Sequence, residues 1–270
     1  QLELTFNEAI DPASAGNESN YVVDGGVGNP IDATVTGTST VLLTFEPGFP
    51  SGVPLNLETA GIADLAGNVS TLQVIGFSWY TVSVYDLLIN EIMADPEPVV
   101  GLPAEEYIEL LNNTDLAVDL TGFTFSDCSS ASDPFPGVTI PAGGFLILTD
   151  EGNEGLFSAY GAVLGIDGFP SLNNTGDQLS LRNPDGVVIH TVFYDDSWYG
   201  NPIKEDGGYS LELIDPSNPC QGMNNWTASN AEEGGTPGTL NSVFAENPDT
   251  EAPFLVSVFP VTDMELEVLF

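Results

Sequence analysis

Hydrophobic and polar residues alternate with a period of two along most of the chain, and helical periodicity is nearly absent. Leu2, Leu4 and Phe6 alternate with polar residues, which places the three side chains on one face of a strand. Residues 183–186 (NPDG) form a hairpin turn signal, and only residues 153–160 have the pattern of a short helix. Further strands are predicted at 41–45, 54–59, 87–93, 106–111, 123–125, 145–148, 179–181, 187–194 and 209–214. The pattern predicts an all-β chain.

Changes in this pattern divide the chain into successive segments. Residues 1–84 are predicted to form one β-domain whose first strand is missing, and residues 85–243 a second, larger domain. A polar, proline-bounded stretch at 244–253 is predicted to be a linker, followed by two more strands in 254–270. The last strand (LEVLF) repeats the pattern of the first (LELTF). The chain is therefore expected to begin inside one β-domain and to end inside another of the same type, as in an array.

The charge balance is strongly acidic. The 270 residues include 40 Asp and Glu against 2 Lys and Arg, which gives a formal net charge of −38. Such a polyanion repels nucleic acid and anionic lipid, because binding them requires cationic side chains, so nucleic acid is excluded as a partner. The charge also opposes a compact fold through self-repulsion. Either a solvated acidic surface in saline surroundings or bound divalent cations would offset it.

The cysteine content and the hydropathy pattern indicate the compartment. Cys128 and Cys220 are the only cysteines, and an even, low count fits one disulfide formed in an oxidising compartment. The alternative is two separate buried thiols. No apolar run approaches the roughly 20 residues of a membrane-spanning helix, so no membrane insertion is expected. The sequence has no signal peptide and opens directly on a strand, as an internal fragment would. We expect an extracellular or cell-surface location.

Three motifs in residues 1–84 carry a resemblance to a known family. They are FNEAID at 6–11, NYVV at 20–23 and GIADLAGN at 61–68. This segment resembles the bacterial Ig-like domains of S-layer and adhesin proteins. The stretch from Asp249 onward looks like the entry to a further copy. The resemblance implies Ig-like β-sandwich domains in tandem.

A longer series of ordered motifs marks the second segment. They are LINEI at 88–92, EYIEL at 106–110 with Asn112, DLTGF at 119–123, NTGDQLSL at 174–181, YSLE at 209–212, NW at 225–226, GTPG at 235–238 and NS at 241–242. Residues 86–243 thereby resemble a bacterial lamin-tail domain. The resemblance implies an Ig-like β-sandwich that serves as an accessory module of large secreted proteins, often from Bacteroidetes. It implies no catalytic residues.

Catalytic patterns are absent from the sequence. His190 lies in an alternating strand, where it is expected to be a sheet residue rather than a general base. No nucleophile elbow, phosphate loop or histidine-rich metal motif is present. Paired acids such as Glu105 and Glu106 do not suit glycoside hydrolysis, because neighbouring residues on a strand point to opposite faces. We therefore expect that the chain is not an enzyme.

A Ca²⁺ site is expected at the junction between domains. In an Ig-like unit the antiparallel strands bring two segments to the same pole, and a linker acid would join them there. Hard oxygen ligands from several segments suit Ca²⁺, and the ion would stiffen the array. The alternative is that Asp64 and Asn68 only form the turn. The candidate ligands are Glu8, Asp11, Asp64 and Asn68 at the first unit, with Asp249 or Glu251 as the linker acid for the next copy.

Aromatic residues suggest a second kind of site. Trp198 and Tyr199 lie in a loop-like stretch and are candidates for stacking on a sugar, whereas Trp226 is expected in the core. The alternative for Trp198 and Tyr199 is that they anchor the core or the loop.

The sequence as a whole favours a structural or spacing segment of a large surface adhesin or fibre, rigidified by Ca²⁺. The alternative function is a carbohydrate- or surface-binding accessory module of a secreted enzyme. Expected partners are the neighbouring domains of the same chain, surface glycans and other surface proteins.

Overall fold

The structure is a computed structural model that describes residues 1–250, 252, 255–262 and 264–269. It divides into two compact units, Gln1–Thr81 and Val82–Phe270. The predicted domain bounds at residues 84, 243 and 253 stay predictions. Strands are the main regular secondary structure of both units and helices are short, which confirms the all-β, Ig-like sandwich class. No helix in the described part of the chain has the length and apolar character that a membrane crossing requires.

The first unit contains two three-stranded antiparallel sheets. One has the order β1-β4-β3 and the other β2-β5-β6. A one-turn helix, α1 (Pro12–Ala15), follows Asp11, whose carboxylate caps it by accepting from the Ser14 N–H. The strands are β1 (Leu2–Thr5), β2 (Tyr21–Val23), β3 (Asp32–Val35), β4 (Thr40–Thr44), β5 (Pro54–Thr59) and β6 (Gln73–Ser78).

The core of the first unit lies between these two sheets. The alternation of apolar and polar residues determines which side chains enter this core. Every second residue of β5 is buried, and the residues between are exposed. Leu2, Leu4 and Phe6 pack against this core but remain half-buried. The fully enclosed members of the core include Tyr21, Val41, Leu43, Leu55 and Leu57.

The second unit is centred on a six-stranded sheet of order β13-β12-β8-β7-β16-β17. A three-stranded sheet of order β10-β14-β15 and a two-stranded sheet of β11 and β9 complete its strand pairing. The β12–β13 pair is parallel, and the other pairs are antiparallel. The elements are β7 (Leu87–Met93), β8 (Tyr107–Asn112), β9 (Val118–Asp119), β10 (Thr124–Ser126), β11 (Thr139–Ile140), β12 (Phe145–Asp150), α2 (Glu154–Phe157), β13 (Val163–Ile166), β14 (Gly176–Arg182), β15 (Val188–Asp195), β16 (Leu211–Leu213) and β17 (Trp226–Ala228).

The central strands β7 and β8 are buried along their whole length, on both faces. An antiparallel strand with one solvated face would show exposed alternate residues, and neither strand does. The polar residues Asn90, Glu91 and Glu109 within these strands are therefore enclosed by the fold. Their placement creates the main polar site of the second unit.

The C-terminal part of the chain forms one more hairpin. Its strands are β18 (Ser257–Pro260) and β19 (Leu266–Leu269), paired antiparallel. Ahead of it, Asn247 donates from its backbone N–H to Asp215 Oδ2 at 2.8 Å and from its side chain to Asn225 Oδ1 at 2.9 Å. The beginning of the predicted linker is thus held by hydrogen bonds. Phe254 and Phe270, which the sequence assigned to the terminal strands, lie outside the described residues.

Candidate functional sites

Three carboxylates form a row across the central sheet of the second unit. Glu91 on β7 is directly opposite Glu109 on β8 and, on its other side, directly opposite Glu212 on β16. Residues in register on neighbouring strands project from the same face. All three side chains are completely buried. Burial of this kind is costly unless each oxygen accepts hydrogen bonds.

Glu91 is the best-connected member of the row. Its Oε1 accepts from the Tyr107 hydroxyl at 2.7 Å, from the Ser210 hydroxyl at 2.6 Å and from the Thr236 N–H at 2.8 Å. Gly235 lies against the same oxygen, and a Cβ at that position would come within 2.6 Å of it. Only glycine therefore lets the backbone approach this closely.

Glu109 and Glu212 bind neighbouring stretches of the same loop. Glu109 accepts from the Gly238 N–H and from the Asn90 side chain at 2.9 Å. Glu212 accepts from the Thr236 hydroxyl at 3.0 Å, from the Ser242 hydroxyl at 2.8 Å and from the Val243 N–H at 3.1 Å. We call residues 234–243 the closing segment, because the three carboxylates fasten it over the sheet.

An amide pair completes this fastening. The Asn90 side chain donates to Asn241 Oδ1 at 2.8 Å, and Asn241 donates back to the Asn90 carbonyl and to the Leu213 carbonyl. The contacts tie β7, β16 and the closing segment together. Five of the quoted motifs of the second segment, LINEI, EYIEL, YSLE, GTPG and NS, thus meet in one buried network although they are far apart in the sequence.

Burial changes the acidity of these carboxylates. Removal from water, reinforced by the charge of Glu212, raises the pKa of Glu91 to about 7. Burial and the charge of Glu91 likewise raise the pKa of Glu109 well above its ordinary value. Glu91 and Glu109 therefore hold protons at a pH where exposed carboxylates have lost theirs, which limits the repulsion between these two adjacent acids.

His190 is a sheet residue, as expected. It is buried in β15, and its Nδ1 accepts from the Ile89 backbone N–H at 2.8 Å. Burial lowers the pKa of the imidazole to about 4. The ring of Tyr85 packs edge-on against it, at 5.8 Å between centroids. His190 is therefore neutral near pH 7 and links β15 to β7.

The candidate cation ligands are partly brought together. Glu8, Asp64 and Asn68 line one cleft of about 320 Å³ in the first unit. Asp11 lies beside it, since its N–H donates to the Ala63 carbonyl at 2.8 Å, but its carboxylate caps α1. Asp249 belongs to the second unit, and Glu251 lies outside the described residues. Among the residues that are described, no group of three or more acidic, histidine or cysteine side chains has the geometry of a metal site.

The Asp64 carboxylate already accepts hydrogen bonds within its own turn. Its Oδ1 accepts from the backbone N–H groups of Ala66 and Asn68, both at 2.8 Å, and its Oδ2 accepts from the Asn68 side chain at 2.6 Å. These bonds lower the pKa of Asp64, with the Asn68 side chain contributing most. Turn formation is thus one established role of this pair.

The aromatic candidates occupy different environments. Trp198 is half-buried and lines an open cleft of about 290 Å³ with Tyr85, Phe193 and Trp226. Its ring lies 6.3 Å from that of Trp226, at an interplanar angle of 41°. Tyr199 is buried, and its hydroxyl has no hydrogen-bond partner within the described chain. Trp198 is therefore accessible to a ligand, whereas Tyr199 is a core residue.

The expected disulfide between Cys128 and Cys220 is not formed. Both residues are exposed free thiols. Cys128 Sγ lies 3.4 Å from Gln178 Oε1, and Cys220 lines the aromatic cleft together with Tyr85. An even number of cysteines is compatible with free thiols as well as with a disulfide, because the number contains no information on the distance between the thiols.

The motifs in the sequence contain these carboxylates, but the sequence did not predict that the three carboxylates form one buried site. The available signal is an acid inside an otherwise apolar strand, as at Glu91 between Ile89 and Ile92. Such an acid must either face solvent or take part in hydrogen bonds in the protein interior. The alternation of apolar and polar residues does not show which of the two applies.

Fold and site together define an all-β chain whose second unit is closed by an internal polar network. Residues 82–196 match the family model of the lamin tail domain. No curated protein matches the chain.

Two solved structures are similar to parts of the chain. The N-terminal part of the bacterial S-layer protein SbsC aligns over 72% of this chain and 40% of that chain, at 17% identity and a TM-score of 0.32. A DUF4876 family protein from Bacteroides thetaiotaomicron VPI-5482 aligns over 72% of this chain and 82% of that chain, at 11% identity and a TM-score of 0.35. The chain thus spans less than half the length of the S-layer structure.

Proposed function

We propose that this chain is a non-catalytic structural segment of a large secreted or cell-surface modular protein, of the adhesin or fibre type. The observation that carries the proposal is the row of Glu91, Glu109 and Glu212. These acids have no exposed surface and are occupied by hydrogen bonds from the fold itself. The lamin tail match over residues 82–196 agrees with a structural module.

The network suits a segment that must stay closed under load. The closing segment is fixed through backbone N–H groups and side chains to three separate strands, β7, β8 and β16. Pulling on the C-terminal side of the closing segment would therefore load several bonds together.

Force spectroscopy tests the spacer role directly. The full chain is tethered at both ends, and each unit is expected to give its own unfolding event. Glu212→Ala should lower the unfolding force of the second unit, and Glu151→Ala, an exposed acid of the same unit, should leave it unchanged. Extension of the second unit without a force peak would contradict the proposal that the chain is a spacer that resists force.

Surface location has its own test. Cells that produce the protein are treated with a protease that does not enter them, and the chain is followed by immunoblot. Loss of the chain while a cytoplasmic marker stays intact is expected. Protection of the chain until the cells are lysed would contradict this part of the proposal.

Ca²⁺ binding is the finer part of the proposal. The support is that Glu8, Asp64 and Asn68 share one cleft and that the net charge is −38. Asp11 is the further proposed ligand of this site, and Asp249 or Glu251 is the linker acid proposed for the corresponding site of the next copy. Ca²⁺ should raise the melting temperature of the first unit in the wild type but not in Glu8→Gln, with Glu3→Gln as the matched exposed control. An unchanged melting temperature after chelation would overturn Ca²⁺ binding.

Carbohydrate binding is the second candidate function. The observation that favours it is the open aromatic cleft, in which Trp198 is half-buried and Phe193 is 60% exposed. Aromatic faces of this kind stack on apolar faces of ligands. A glycan array with the wild type, Trp198→Ala and the exposed control Trp79→Ala tests it. Binding that survives Trp198→Ala, or no binding at all, would contradict the candidate function.

A further inference from the structure

Four aromatic side chains line the aromatic cleft of the second unit, which has a volume of about 290 Å³. They are Tyr85, Phe193, Trp198 and Trp226. Trp226 is buried and Trp198 is half-buried, whereas Tyr85 and Phe193 are exposed. The rings of Trp198 and Trp226 are tilted at 41° with their centroids 6.3 Å apart, so they do not stack flat against each other. The cleft therefore offers the surface of several rings to one ligand.

The lining of this cleft contains no charged side chain among the described residues, although 40 of the 270 residues of the chain are acidic. Thr191 and Cys220 supply a hydroxyl and a thiol besides the aromatic residues, and the remaining lining residues are apolar or glycine. A sugar presents many hydroxyl groups, and each one that is buried without a partner costs free energy. The lining therefore favours a small ligand that needs few hydrogen bonds, since the volume is at the lower end of the roughly 300–1,000 Å³ of ligand pockets.

The cationic side chains of the chain are engaged elsewhere. Arg182 donates from Nη1 to the Gly186 carbonyl at 3.2 Å. Lys204 donates to Asn230 Oδ1 at 3.1 Å, and its Nζ lies over the ring of Tyr209, 5.3 Å from the centroid. These contacts leave the aromatic cleft without an intramolecular cation from either side chain.

The imidazole that packs against Tyr85 adds no positive charge at neutral pH. The two ring centroids are 5.8 Å apart, and burial lowers the pKa of His190 to about 4. The net charge of −38 draws cations towards the protein surface. The cleft is therefore complementary in charge to a small cation and, by its rings, to an apolar one.

We propose that the aromatic cleft binds a quaternary ammonium cation of the choline type. A cation within about 6 Å of a ring centroid is attracted by the ring quadrupole, most strongly by that of tryptophan. A quaternary nitrogen has no N–H group to satisfy, and its methyl groups are apolar, so it suits a lining with few polar groups. The proposal does not rest on the spacer role, and it assigns to these rings a different class of ligand from the sugar considered above.

Calorimetric titration of the full 270-residue chain with choline chloride tests the proposal, at an ionic strength held constant with NaCl. Contributions from two or more rings predict a dissociation constant of about 1 mM or below. The matched control ligand is dimethylbutanol, the neutral carbon analogue of choline, which has the same shape without the charge. It should bind at least about tenfold more weakly, because the attraction between cation and ring is absent.

Two variants locate the site. Trp198→Ala should weaken choline binding at least about tenfold, and Trp79→Ala, which removes an exposed tryptophan of the first unit, should leave it unchanged. Phe193→Leu keeps an apolar side chain but removes the ring at a position that is 60% exposed, so the fold should be retained. This variant should bind choline about two- to fivefold more weakly and dimethylbutanol as the wild type does.

Phosphocholine distinguishes a free cation from a lipid head group. Its phosphate should be repelled by the net charge of −38, so it should bind more weakly than choline, and vesicles of phosphatidylcholine should not retain the protein. Phosphocholine that binds as tightly as choline would overturn the assignment of a free cation as the ligand.

The remaining outcomes bear on the cleft itself. A titration without choline binding overturns the proposal, and so does an equal affinity for dimethylbutanol. Choline binding that both Phe193→Leu and Trp198→Ala leave unchanged overturns it too, because the cation would then lie elsewhere on the acidic surface. Choline binding together with a negative glycan array supports the proposal and contradicts the sugar candidate, so the two failures are distinguishable.

Discussion

Glu91 and Glu109 lie directly opposite each other on two neighbouring antiparallel strands, and both are completely buried. Two ionised carboxylates in this position would repel each other strongly in the low dielectric of the interior. The protein accommodates them by holding protons and by donating the N–H groups of Thr236 and Gly238 to them. The pair therefore couples the closure of the second unit to pH.

The first prediction concerns pH and stability. The folded protein keeps a proton on Glu91 up to about pH 7, whereas the unfolded chain loses it near the ordinary value of 4.5. At Glu91 the folded state thus binds more protons in this window, so the contribution of Glu91 to the free energy of unfolding falls as pH rises from 4.5 to 7, whereas the contribution of His190, whose pKa burial lowers from 6.5 to about 4, rises with pH. The loss attributable to Glu91 is about 3 kcal/mol. Denaturant unfolding at a series of pH values measures it.

Glu91→Gln is the matched variant for this prediction. A Gln oxygen can still accept from Tyr107, Ser210 and the Thr236 N–H, but the side chain does not titrate. Relative to the wild type, the variant should gain about 3 kcal/mol of unfolding free energy between pH 4.5 and 7, because only the falling contribution of Glu91 is removed, and Glu151→Gln should keep the wild-type pH dependence. Equal slopes in the wild type and in Glu91→Gln would contradict the assignment.

At still lower pH the stability should fall again. Hydrogen bonds from Ser and Asn groups lower the pKa of Asp11, Asp64 and Asp215 in the folded state. Their contribution is present above pH 3.8 and is lost as the pH falls further, through their folded-state pKa values.

The second prediction concerns the Thr236 hydroxyl. It lies 3.0 Å from Glu212 Oε1 and 3.4 Å from Glu91 Oε2. Thr236→Val preserves the shape of the side chain but removes this donor from a buried acceptor, which should cost about 1–3 kcal/mol of unfolding free energy. Thr239→Val removes an exposed hydroxyl three residues later and should cost much less. Similar losses in the two variants would argue against the network.

Part of this arrangement was predictable from the sequence. Alternation at residues such as Leu55 and Leu57 fixes a strand face, and the ordered motifs of the second segment led to the lamin-tail resemblance. The proximity of Glu8 to Asp64 also followed from antiparallel topology. These features depend on local periodicity and on strand direction, both of which are readable along the chain.

The buried carboxylates were not predictable in the same way. Alternation identifies β7 as a strand, but it does not indicate that both faces are covered, and the cover comes from residues 234–243 far along the chain. The disulfide was wrong for a similar reason. The positions of Cys128 and Cys220 depend on the three-dimensional fold, which a cysteine count does not contain.

The third prediction concerns these thiols. Because Cys128 and Cys220 are free and exposed, both should react with a thiol-specific reagent in the native protein, without prior reduction. The Cys128→Ser and Cys220→Ser variants should each lose one of the two equivalents and keep their native fold. A native protein that reacts only after reduction and unfolding would instead indicate a bridge.

The central claim is that the three buried carboxylates fasten the closing segment to the sheet. Native-state hydrogen exchange of the N–H groups of Thr236, Gly238 and Val243, which donate to Glu91, Glu109 and Glu212, tests it most directly. These amides should exchange as slowly as those of β7 and β8, through global unfolding. Exchange of the three amides at the rate of exposed loops, while β7 and β8 stay protected, would contradict the claim.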